Sequence, residues 1–528
     1  MRRRLILLLS ALCFVPLSCI ENDIPMPYQP AAITALEAEG ALSVNLDEKT
    51  RCVTLEMDEI CDLSAVVIKS VSFNYPNTKS SIELTGTFDL RNPLSFVLST
   101  YQDYKWKIRA TQSISREFSV RGQIGAAIID EASRRIFLKV SKATPLTRVE
   151  LRSIKLGPRD ISSYSIQAAD VADLSGAAEI IVRYRDVVEV WTVYAEQSEL
   201  SVEFGQISPH TRRCWVSANA PDEKRNGFLY RMKHTQDWIE VETEGSEGSV
   251  IACLEDLEPL TTYECLAFSD EEQTEIMEFT TGAETQIPNS DFEVFAHDES
   301  PNYFSWYNLS AGQIKWWDSG NIGSTMVGAS YCISIPDTED FVSGAASAKL
   351  VSRNVIVKFA AGNIFSGSFG QLMGTAGATV NFGRPFTERP RSVKLWVKYD
   401  CGIIDCFGGA PEGDDARIGA RDKSQVYIAL GDWDYREYGG IPESPLCINT
   451  TDKDTFFNPD GPGVIAYGAF IANEDIKEWM EVEIPLEYRD NFRVPTHIIV
   501  SAAASRLGDW FTGSSSSVLH LDDLRLIY

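Results

Sequence analysis

The hexapeptide LDEKTR at residues 46–51 recurs as IDEASR at residues 129–134, an offset of 83 residues. Every second residue after each copy is apolar, which is typical of a β-strand with one buried face. The acidic and polar residues of each copy suit the turn before such a strand. The repeat predicts two Ig-like sandwiches, at 31–112 and 113–196. They are closed by Trp106 and Trp191, and their alternating residues are Val53, Leu55 and Met57, and Ile136, Leu138 and Val140.

Short alternating runs broken by Gly, Pro, Asn and Asp continue along the chain, and no long stretch keeps a helical period. A chain of 528 residues needs several cores. The segment LEPLTTY at 257–263 resembles the tyrosine corner of fibronectin type III modules, which implies a third sandwich at 197–283. In such a corner the hydroxyl of Tyr263 would bond to the backbone. The expected fold class is all-β, with tandem Ig-like sandwiches before a C-terminal jelly-roll sandwich.

The N-terminus reads as a secretory signal over residues 1–18, with three arginines, a short apolar run and a small residue before Cys19. Cys19 resembles the acylated cysteine of bacterial lipoproteins, and residues 19–30 would be a lipidated tether. The acidic residues after Cys19 resemble a surface-export signal of Gram-negative bacteria. We therefore expect an outer membrane lipoprotein exposed at the cell surface; the alternative is plain secretion after cleavage nearby.

The net charge of −27 and the absence of a Lys/Arg cluster exclude a nucleic-acid partner. The five His residues are dispersed and give neither a metal centre nor a catalytic triad. The cysteine spacing matches no zinc pattern. Cys401 and Cys406 are the candidates for a hairpin disulfide in an oxidising compartment.

Residues 284–528 differ in composition, because they hold seven of the 11 tryptophans. The segments WDSGN (317–321), AAGNIFSG (360–367), GRPF (383–386) and SRLGDWFTG (505–513) resemble the putative carbohydrate metabolism domain of Gram-negative lipoproteins. The resemblance covers all of 284–528. It implies Ig-like domains followed by a C-terminal jelly roll and a glycan as substrate class, without fixing a reaction.

Two GDW tripeptides, at 431–433 and 508–510, follow strand-like runs and predict loops that carry a tryptophan beside an aspartate. A loop indole can stack on the apolar face of a sugar while a carboxylate accepts hydroxyl hydrogen bonds. The alternative is that these tryptophans cap the sandwich core, as we expect for Trp396. The candidate glycan-binding residues are Trp317, Asp318, Asp432, Trp433, Tyr435, Asp509, Trp510 and Phe511.

The last strand changes phase at Asp522 and Asp523, since Leu519 and Leu521 share one parity and Leu524 and Leu526 the other. This predicts a β-bulge. In many carbohydrate-binding jelly rolls, acids of the first and last strands share a structural Ca²⁺, which makes Asp291, Glu293, Asp522 and Asp523 the candidate ligands. The alternative is a solvated turn. No other cofactor is expected.

The favoured function is a surface-anchored lipoprotein that binds a glycan through its C-terminal jelly roll, in polysaccharide capture or utilisation. Its partners would be a polysaccharide or oligosaccharide, the outer membrane through the lipid, and other surface glycan-uptake proteins. One alternative is a glycoside-cleaving enzyme on the same jelly roll, which needs a carboxylate pair. No spacing singles out that pair among Asp318, Asp432, Asp434, Glu437 and Asp509. The other alternative is an adhesin or structural surface protein with a sandwich stalk.

Overall fold

A computed structural model describes residues 29–298, 303–307, 312, 315–355, 358–374 and 376–528. The signal segment and Cys19 lie outside this part of the chain. The described elements are almost all strands, so the all-β prediction is confirmed. None of the helices in the described ranges is long and apolar enough to cross a membrane. The chain divides into two compact units. The first ends at Glu196, and the second covers Gln197–Tyr528 together with the short segments Gly122–Ala126 and Lys139–Thr144.

The first sandwich packs a three-stranded sheet, β1-β4-β6, against a five-stranded sheet, β2-β3-β8-β7-β5. Its core holds Trp106, which is 1% exposed and donates from Nε1 to the Ala31 carbonyl at 3.0 Å. The strands are β1 (Ile33–Ala38), β2 (Ala41–Asp47), β3 (Cys52–Met57), β4 (Val66–Phe73), β5 (Lys79–Ser80), β6 (Gly86–Phe88), β7 (Leu94–Ser99) and β8 (Asp103–Gln112).

The second sandwich has sheets β10-β11-β16-β15-β13 and β14-β12-β9. A 3₁₀ turn, Leu146–Arg148, precedes β12. The strands are β9 (Glu117–Val120), β10 (Gln123–Asp130), β11 (Arg135–Val140), β12 (Val149–Lys155), β13 (Ser163–Tyr164), β14 (Val171–Ala172), β15 (Ala178–Tyr184) and β16 (Val187–Gln197).

The repeated hexapeptide forms the same turn in both sandwiches. Asp47 ends β2 and accepts hydrogen bonds from the Thr50 amide at 3.0 Å and hydroxyl at 2.6 Å; Asp130 ends β10 and accepts the equivalent pair from Ser133. Arg51 and Arg134 close the turns with φ of 54° and 53°. The alternating residues that follow are buried in both copies. The repeated acids therefore hold turns, as their sequence context indicates.

The third sandwich has sheets β17-β18-β22-β21 and β20-β19-β23-β24, with β25 also paired to β23. Tyr263 is buried, and its hydroxyl accepts a hydrogen bond from the Glu258 amide at 2.8 Å. This is the predicted tyrosine corner. The strands are β17 (Glu203–Pro209), β18 (Cys214–Asn219), β19 (Asn226–Met232), β20 (Ile239–Val241), β21 (Glu244–Ser246), β22 (Ser249–Leu254), β23 (Thr262–Ser269), β24 (Glu272–Gln273) and β25 (Met277–Thr280).

The C-terminal domain packs a large sheet, whose main path is β38-β39-β34-β33-β43-β37-β40-β42, against a five-stranded sheet, β29-β30-β44-β36-β41. The described connections include two short α-helices, α1 (Asn321–Ser324) and α2 (Tyr435–Tyr438). They also include four 3₁₀ turns, Thr325–Val327, Ala329–Tyr331, Lys453–Thr455 and Gly508–Trp510. The strands of the first half are β26 (Ala296–Asp298), β27 (Tyr303–Ser305), β28 (Trp317–Asp318), β29 (Ser334–Asp337), β30 (Ser347–Val351), β31 (Arg353–Val355), β32 (Lys358–Ala360), β33 (Asn363–Leu372), β34 (Ala378–Phe382) and β35 (Arg384–Pro385). Those of the second half are β36 (Ser392–Asp400), β37 (Ser424–Gly431), β38 (Gly439–Ile441), β39 (Ser444–Asn449), β40 (Val464–Ala472), β41 (Ile476–Pro485), β42 (Glu487–Tyr488), β43 (His497–Ala503) and β44 (Val518–Ile527).

The large sheet is apolar on both faces. Val426, Ile428 and Leu430 of β37 enter the main core between the two sheets. The alternate residues of the same strand, including Tyr427 and Ala429, point to the opposite face, which we call the outer face. There a second cluster of buried residues covers the sheet. A strand buried on both faces reads as a continuous apolar run, which explains the composition of β37.

The predicted β-bulge is present in β44. Lys394 of β36 pairs with Arg525 and Trp396 pairs with Asp522, so Asp523 and Leu524 together oppose a single residue. Asp523 has a φ of 47°. The phase slip in the sequence therefore reflects an extra residue in the strand.

Two expectations for this domain were wrong. Trp396 is only half-buried, because it shares a face of β36 with Lys394 and Lys398 while Leu395 and Val397 fill the core. Cys401 and Cys406 are both free thiols. The Cys401 Sγ contacts the Asp422 carbonyl at 3.2 Å, and the Cys406 Sγ contacts Asn354 Oδ1 at 2.7 Å, so the two sulfurs have separate partners.

Arg389 joins the third sandwich to the C-terminal domain. It is 6% exposed and donates to Ser208 Oγ at 2.6 Å and to the Pro209 carbonyl at 2.5 Å. His210 lies beside it, with Nε2 at 3.2 Å from the Asn491 carbonyl. The guanidinium also donates to the Asn491 carbonyl at 3.4 Å, so neutral acceptors from both domains hold it and tie the two together.

Arg389→Met is expected to lower the free energy of unfolding by about 2–4 kcal/mol, because two buried charge-assisted hydrogen bonds are lost. It should also separate the unfolding of the third sandwich from that of the C-terminal domain. Calorimetry of the full chain checks this, with the exposed Arg436→Met as control. An unchanged thermogram for Arg389→Met would show that the two domains unfold independently of this residue.

Candidate functional site

A cavity of about 350 Å³ lies on the outer face of the large sheet in the C-terminal domain. Its floor comes from alternate residues of three neighbouring strands: Phe365 of β33, Tyr427 of β37, and Ser501 and Ala503 of β43. The residues between them, such as Ile364 and Val500, fill the main core instead. Because successive side chains of a strand point to opposite faces, the same three strands supply both the main core and the floor of the cavity.

The walls of the cavity come from the loops and edge strands around this floor. They are mainly apolar, with four further phenylalanine rings among them. The volume is within the range of small-molecule sites, about 300–1,000 Å³. The principal apolar wall residues are Ile333, Val355, Phe359, Phe369, Leu372, Val380, Phe382 and Phe511.

Three of the segments that carry the family resemblance converge on the cavity. The segment at 317–321 contributes Gly320, the segment at 360–367 contributes Asn363 and Phe365, and the segment at 505–513 contributes Asp509 and Phe511. These stretches are far apart in the chain, and the sheet brings them together. The resemblance is therefore concentrated where a ligand could bind.

Asp509 is the sole carboxylate among the described lining residues. It forms no hydrogen bond or ion pair with another residue in the described ranges. Burial raises the pKa of Asp509 to about 6. Burial and the nearby Asp509 carboxylate also raise the pKa of Tyr427. A partly enclosed carboxylate that lacks a partner is costly to maintain, and it marks a candidate functional group.

The other charged groups of the cavity already have partners. The Lys358 ammonium lies 3.7 Å from the centroid of the Phe511 ring and donates to the Ala376 carbonyl. Arg506 forms an ion pair with Asp414. The cavity therefore presents aromatic rings, one available carboxylate and a partly engaged ammonium.

The predicted glycan-binding residues fall into two groups. Asp509 and Phe511 line the cavity. Trp510 lies beside them, with Lys453 Nζ at 4.3 Å from its ring centroid and Phe456 edge-on at 5.4 Å, and it is not among the lining residues. The loop of the second GDW tripeptide is thus at the cavity, although Asp509 and the following Phe511 line it and Trp510 does not.

The first GDW segment does not reach the cavity. Trp433 is 5% exposed and packs in the apolar cluster of the outer face, with Phe457 edge-on at 6.5 Å. Asp432 forms an ion pair with Arg493. Tyr435 is exposed, and the guanidinium of Arg436 lies 5.8 Å from its ring centroid. Trp433 therefore acts as a core residue, the alternative expected from the sequence.

Trp317 and Asp318 are also structural. Trp317 is 1% exposed, and its Nε1 donates to the Pro288 carbonyl at 2.9 Å. Asp318 accepts hydrogen bonds from the Ser319 amide at 2.9 Å and the Phe369 amide at 2.7 Å, and it pairs with Lys315. The carboxylate thereby fixes the segment of β33 that carries Phe369, a wall residue of the cavity.

Three of the four candidate calcium ligands, Glu293, Asp522 and Asp523, accept from backbone amides or pair with an arginine. Glu293 accepts from the Ala345 amide, and Asp522 accepts from the amides of Val342, Ser343 and Asp523 at 2.6–3.1 Å. Asp523 pairs with Arg525, and Asp291 is exposed. No group of three or more His, Cys, Asp or Glu side chains suited to a metal occurs in the described ranges. The calcium site stays a prediction, and the contacts show Glu293 and Asp522 fastening the loop before β30.

The sequence did not single out Phe365, Phe369, Gln425 and Tyr427, which line the cavity. A signal was present, because Val426, Tyr427 and Ile428 are consecutive and apolar. Such a run indicates a strand covered on both faces. The apolar run alone does not show which face of the strand packs in a core and which face lines a cavity.

The fold and the cavity define an all-β protein whose C-terminal sandwich carries an aromatic-lined binding site. Residues 291–527 match the family model described as "Putative carbohydrate metabolism domain". No curated protein matches the chain.

Several solved structures are similar to parts of this chain. One from Bacteroides thetaiotaomicron, titled a putative glycoside hydrolase, is 17% identical, with 79% of this chain and 96% of that chain covered and a TM-score of 0.32. Another of the same title, from Bacteroides vulgatus, is 20% identical, with coverage of 45% and 96% and a TM-score of 0.35. SGBP-B from a xyloglucan utilization locus in Bacteroides uniformis is 12% identical, with coverage of 85% and 98% and a TM-score of 0.18. These TM-scores are low, so none of these likenesses assigns an activity to this chain.

Proposed function

We propose that the protein is a surface-anchored lipoprotein that binds a glycan in the cavity of its C-terminal domain, for polysaccharide capture or utilisation. The observation that supports this most is the combination of aromatic rings with the unpartnered carboxylate of Asp509 in one cavity. An aromatic ring packs on the C–H face of a sugar, and a carboxylate accepts hydrogen bonds from the polar groups of the same sugar. The carbohydrate-related family of this domain supports the same ligand class.

Binding is favoured over cleavage because glycoside hydrolysis uses two carboxyl groups about 5–10 Å apart across the scissile bond. Asp509 is the sole carboxylate among the described lining residues. Asp318 is committed to backbone amides, and Asp432 is paired with Arg493. Asp434 caps helix α2 by accepting from the Arg436 amide. The cavity thus lacks a second acid, within the described residues, to complete the pair.

The test is a binding measurement of the full chain on a panel of soluble polysaccharides, with chromatography of the products after prolonged incubation. We expect retention of at least one polysaccharide and no shortened chains. Shortened products would establish the glycoside-cleaving alternative. Absence of binding across a broad panel would favour the adhesin alternative.

The lipid anchor at Cys19 belongs to the same proposal. An acyl chain supplies most of the membrane affinity of such a protein, so Cys19→Ser should appear in the soluble fraction or remain unprocessed. Fractionation of cells that express either form checks this. A variant that stays with the outer membrane like the wild type would contradict lipid anchoring. Other surface glycan-uptake proteins are the partners that this location would bring close.

A further inference from the structure

The polar groups of the cavity limit which part of a glycan can enter it. The Asn363 side chain is satisfied on both sides, since its Oδ1 accepts from the Gly320 amide at 2.8 Å and its Nδ2 donates to the Ala361 carbonyl at 3.1 Å. Thr450 is bonded to the backbone of Ala378. These two polar side chains of the lining are therefore occupied by the protein itself.

The wall is otherwise apolar, which disfavours a fully hydroxylated sugar ring. A hexose brings several hydroxyls, and each one buried without a partner would cost roughly tenfold in affinity. A group that is mainly apolar and carries few polar atoms avoids this cost. The part of the ligand inside the cavity should therefore have few polar atoms, each placed to bond with a polar group of the lining that is still available.

Two charged groups with hydrogen-bonding capacity to spare, Asp509 and Lys358, lie at Phe511. Asp509 is two residues before Phe511 in the same turn and accepts hydrogen bonds only, when ionised. Lys358 lies over the Phe511 ring and has donated one of its three N–H groups, to Ala376. At Phe511, the cavity therefore offers an acceptor and a donor beside an aromatic ring and apolar walls.

We infer that the cavity takes an N-acylated amino sugar, with the amide N–H on Asp509, the acyl carbonyl on Lys358 and the acyl methyl against the apolar wall. This inference rests on the proposed function and specifies its ligand. An acetamido group is a small substituent that supplies a donor, an acceptor and a methyl together. A hydroxyl at the same position supplies no methyl, and an O-acetyl ester supplies no donor.

The test uses the full chain and the methyl glycosides of N-acetylglucosamine, N-acetylgalactosamine and N-acetylmannosamine. Each is compared by NMR titration with its 2-hydroxy parent and its free 2-amino form. At least one N-acetyl glycoside should bind about tenfold or more tightly than its parent, because the parent lacks both the acyl carbonyl that Lys358 would bind and the methyl that the apolar wall would bury. Asp509→Ala should abolish this preference. The control Asp460→Ala, at an exposed carboxylate paired with Arg489, should retain it.

Several results would overturn the inference. Equal binding of parent and N-acetyl forms would remove the acyl group from recognition. Tighter binding of the free 2-amino form would indicate that Asp509 pairs with an ammonium group of the ligand. An N-acetyl preference that persists in a folded Asp509→Ala variant would place the site elsewhere. If a polysaccharide without N-acyl groups binds and no N-acetyl sugar does, the inference fails while the proposed function stands; if nothing binds, both fail.

Discussion

Trp433→Ala is expected to lower the free energy of unfolding of the C-terminal domain by about 3–5 kcal/mol. The indole is 5% exposed and lies among Phe382, Leu446 and Val464 in the cluster that covers the outer face. Gly463 packs so closely on its ring that an added Cβ would lie 2.5 Å from the indole Cδ1. Removal of the ring would leave a cavity that the strands cannot close.

Chemical denaturation of the full chain measures this effect, with Tyr435→Ala as the matched control. Tyr435 is two residues away and exposed, so its loss should change stability by no more than about 0.5 kcal/mol. A folded Trp433→Ala variant of normal stability that no longer binds glycan would contradict the structural role. It would show that this tryptophan contacts the ligand.

Asp509→Asn is expected to stabilise the fold and weaken glycan binding. The pKa of Asp509 is raised from 3.8 to about 6 by burial, so the folded state holds a proton that the unfolded state has released between these pH values. Stability therefore falls as pH rises through this window, and above it the ionised carboxylate destabilises the fold. Asparagine removes the charge, so the gain at pH 7.5 should be about 1–3 kcal/mol. At pH 4 or below, the difference in stability should largely disappear.

The effect on binding should have the opposite sign. A carboxylate is a stronger acceptor than an amide, so Asp509→Asn should lower glycan affinity about tenfold at pH 7.5. The affinity of the wild type should also fall below pH 6, as Asp509 gains a proton. Asp415→Asn is the control, because Asp415 is exposed and pairs with Lys423. A variant that binds equally well and gains no stability would mean that Asp509 neither contacts the ligand nor is strained by burial.

Local pattern was sufficient to predict much of the fold. The turn made by Asp47, the bulge at Asp523 and the corner at Tyr263 each depend on residues within a few positions of one another. Turn chemistry and strand parity are local properties, and the sequence displays them directly. Trp106 and Trp191, which close the two repeat units, are both buried.

Composition did not distinguish one face of a strand from the other when both are apolar. Trp396 was expected in the core because its neighbours Leu395 and Val397 are apolar, yet these neighbours take the core and turn the indole outward. Trp433 follows a strand in the same way as Trp510, but its ring turns into the packed cluster. Which face is covered depends on strands that are distant in sequence.

The site was predicted in part for the same reason. Asp509 and Phe511, which line the cavity, were predicted as glycan-binding residues because an acid beside aromatic residues in a loop is typical of a sugar contact. Phe365 and Tyr427 belong to β33 and β37, which become neighbours of β43 only in the folded sheet. The floor residues could not be predicted because they are far apart in sequence, whereas the loop residues Asp509 and Phe511 lie close together and were predicted.

The central claim is that glycan binds in the cavity on the outer face, and a variant that fills the cavity tests it most directly. Ala503 lies on the floor beside Gln425, so Ala503→Phe should occupy the space. The control is Ala469→Phe, which lies cross-strand from Tyr427 and is exposed outside the lining. The measurement is affinity for a polysaccharide that the wild type binds, with melting temperature as a check of folding. We predict that folded Ala503→Phe loses binding about tenfold or more while Ala469→Phe keeps it. Unchanged affinity in a folded Ala503→Phe variant would contradict glycan binding in this cavity.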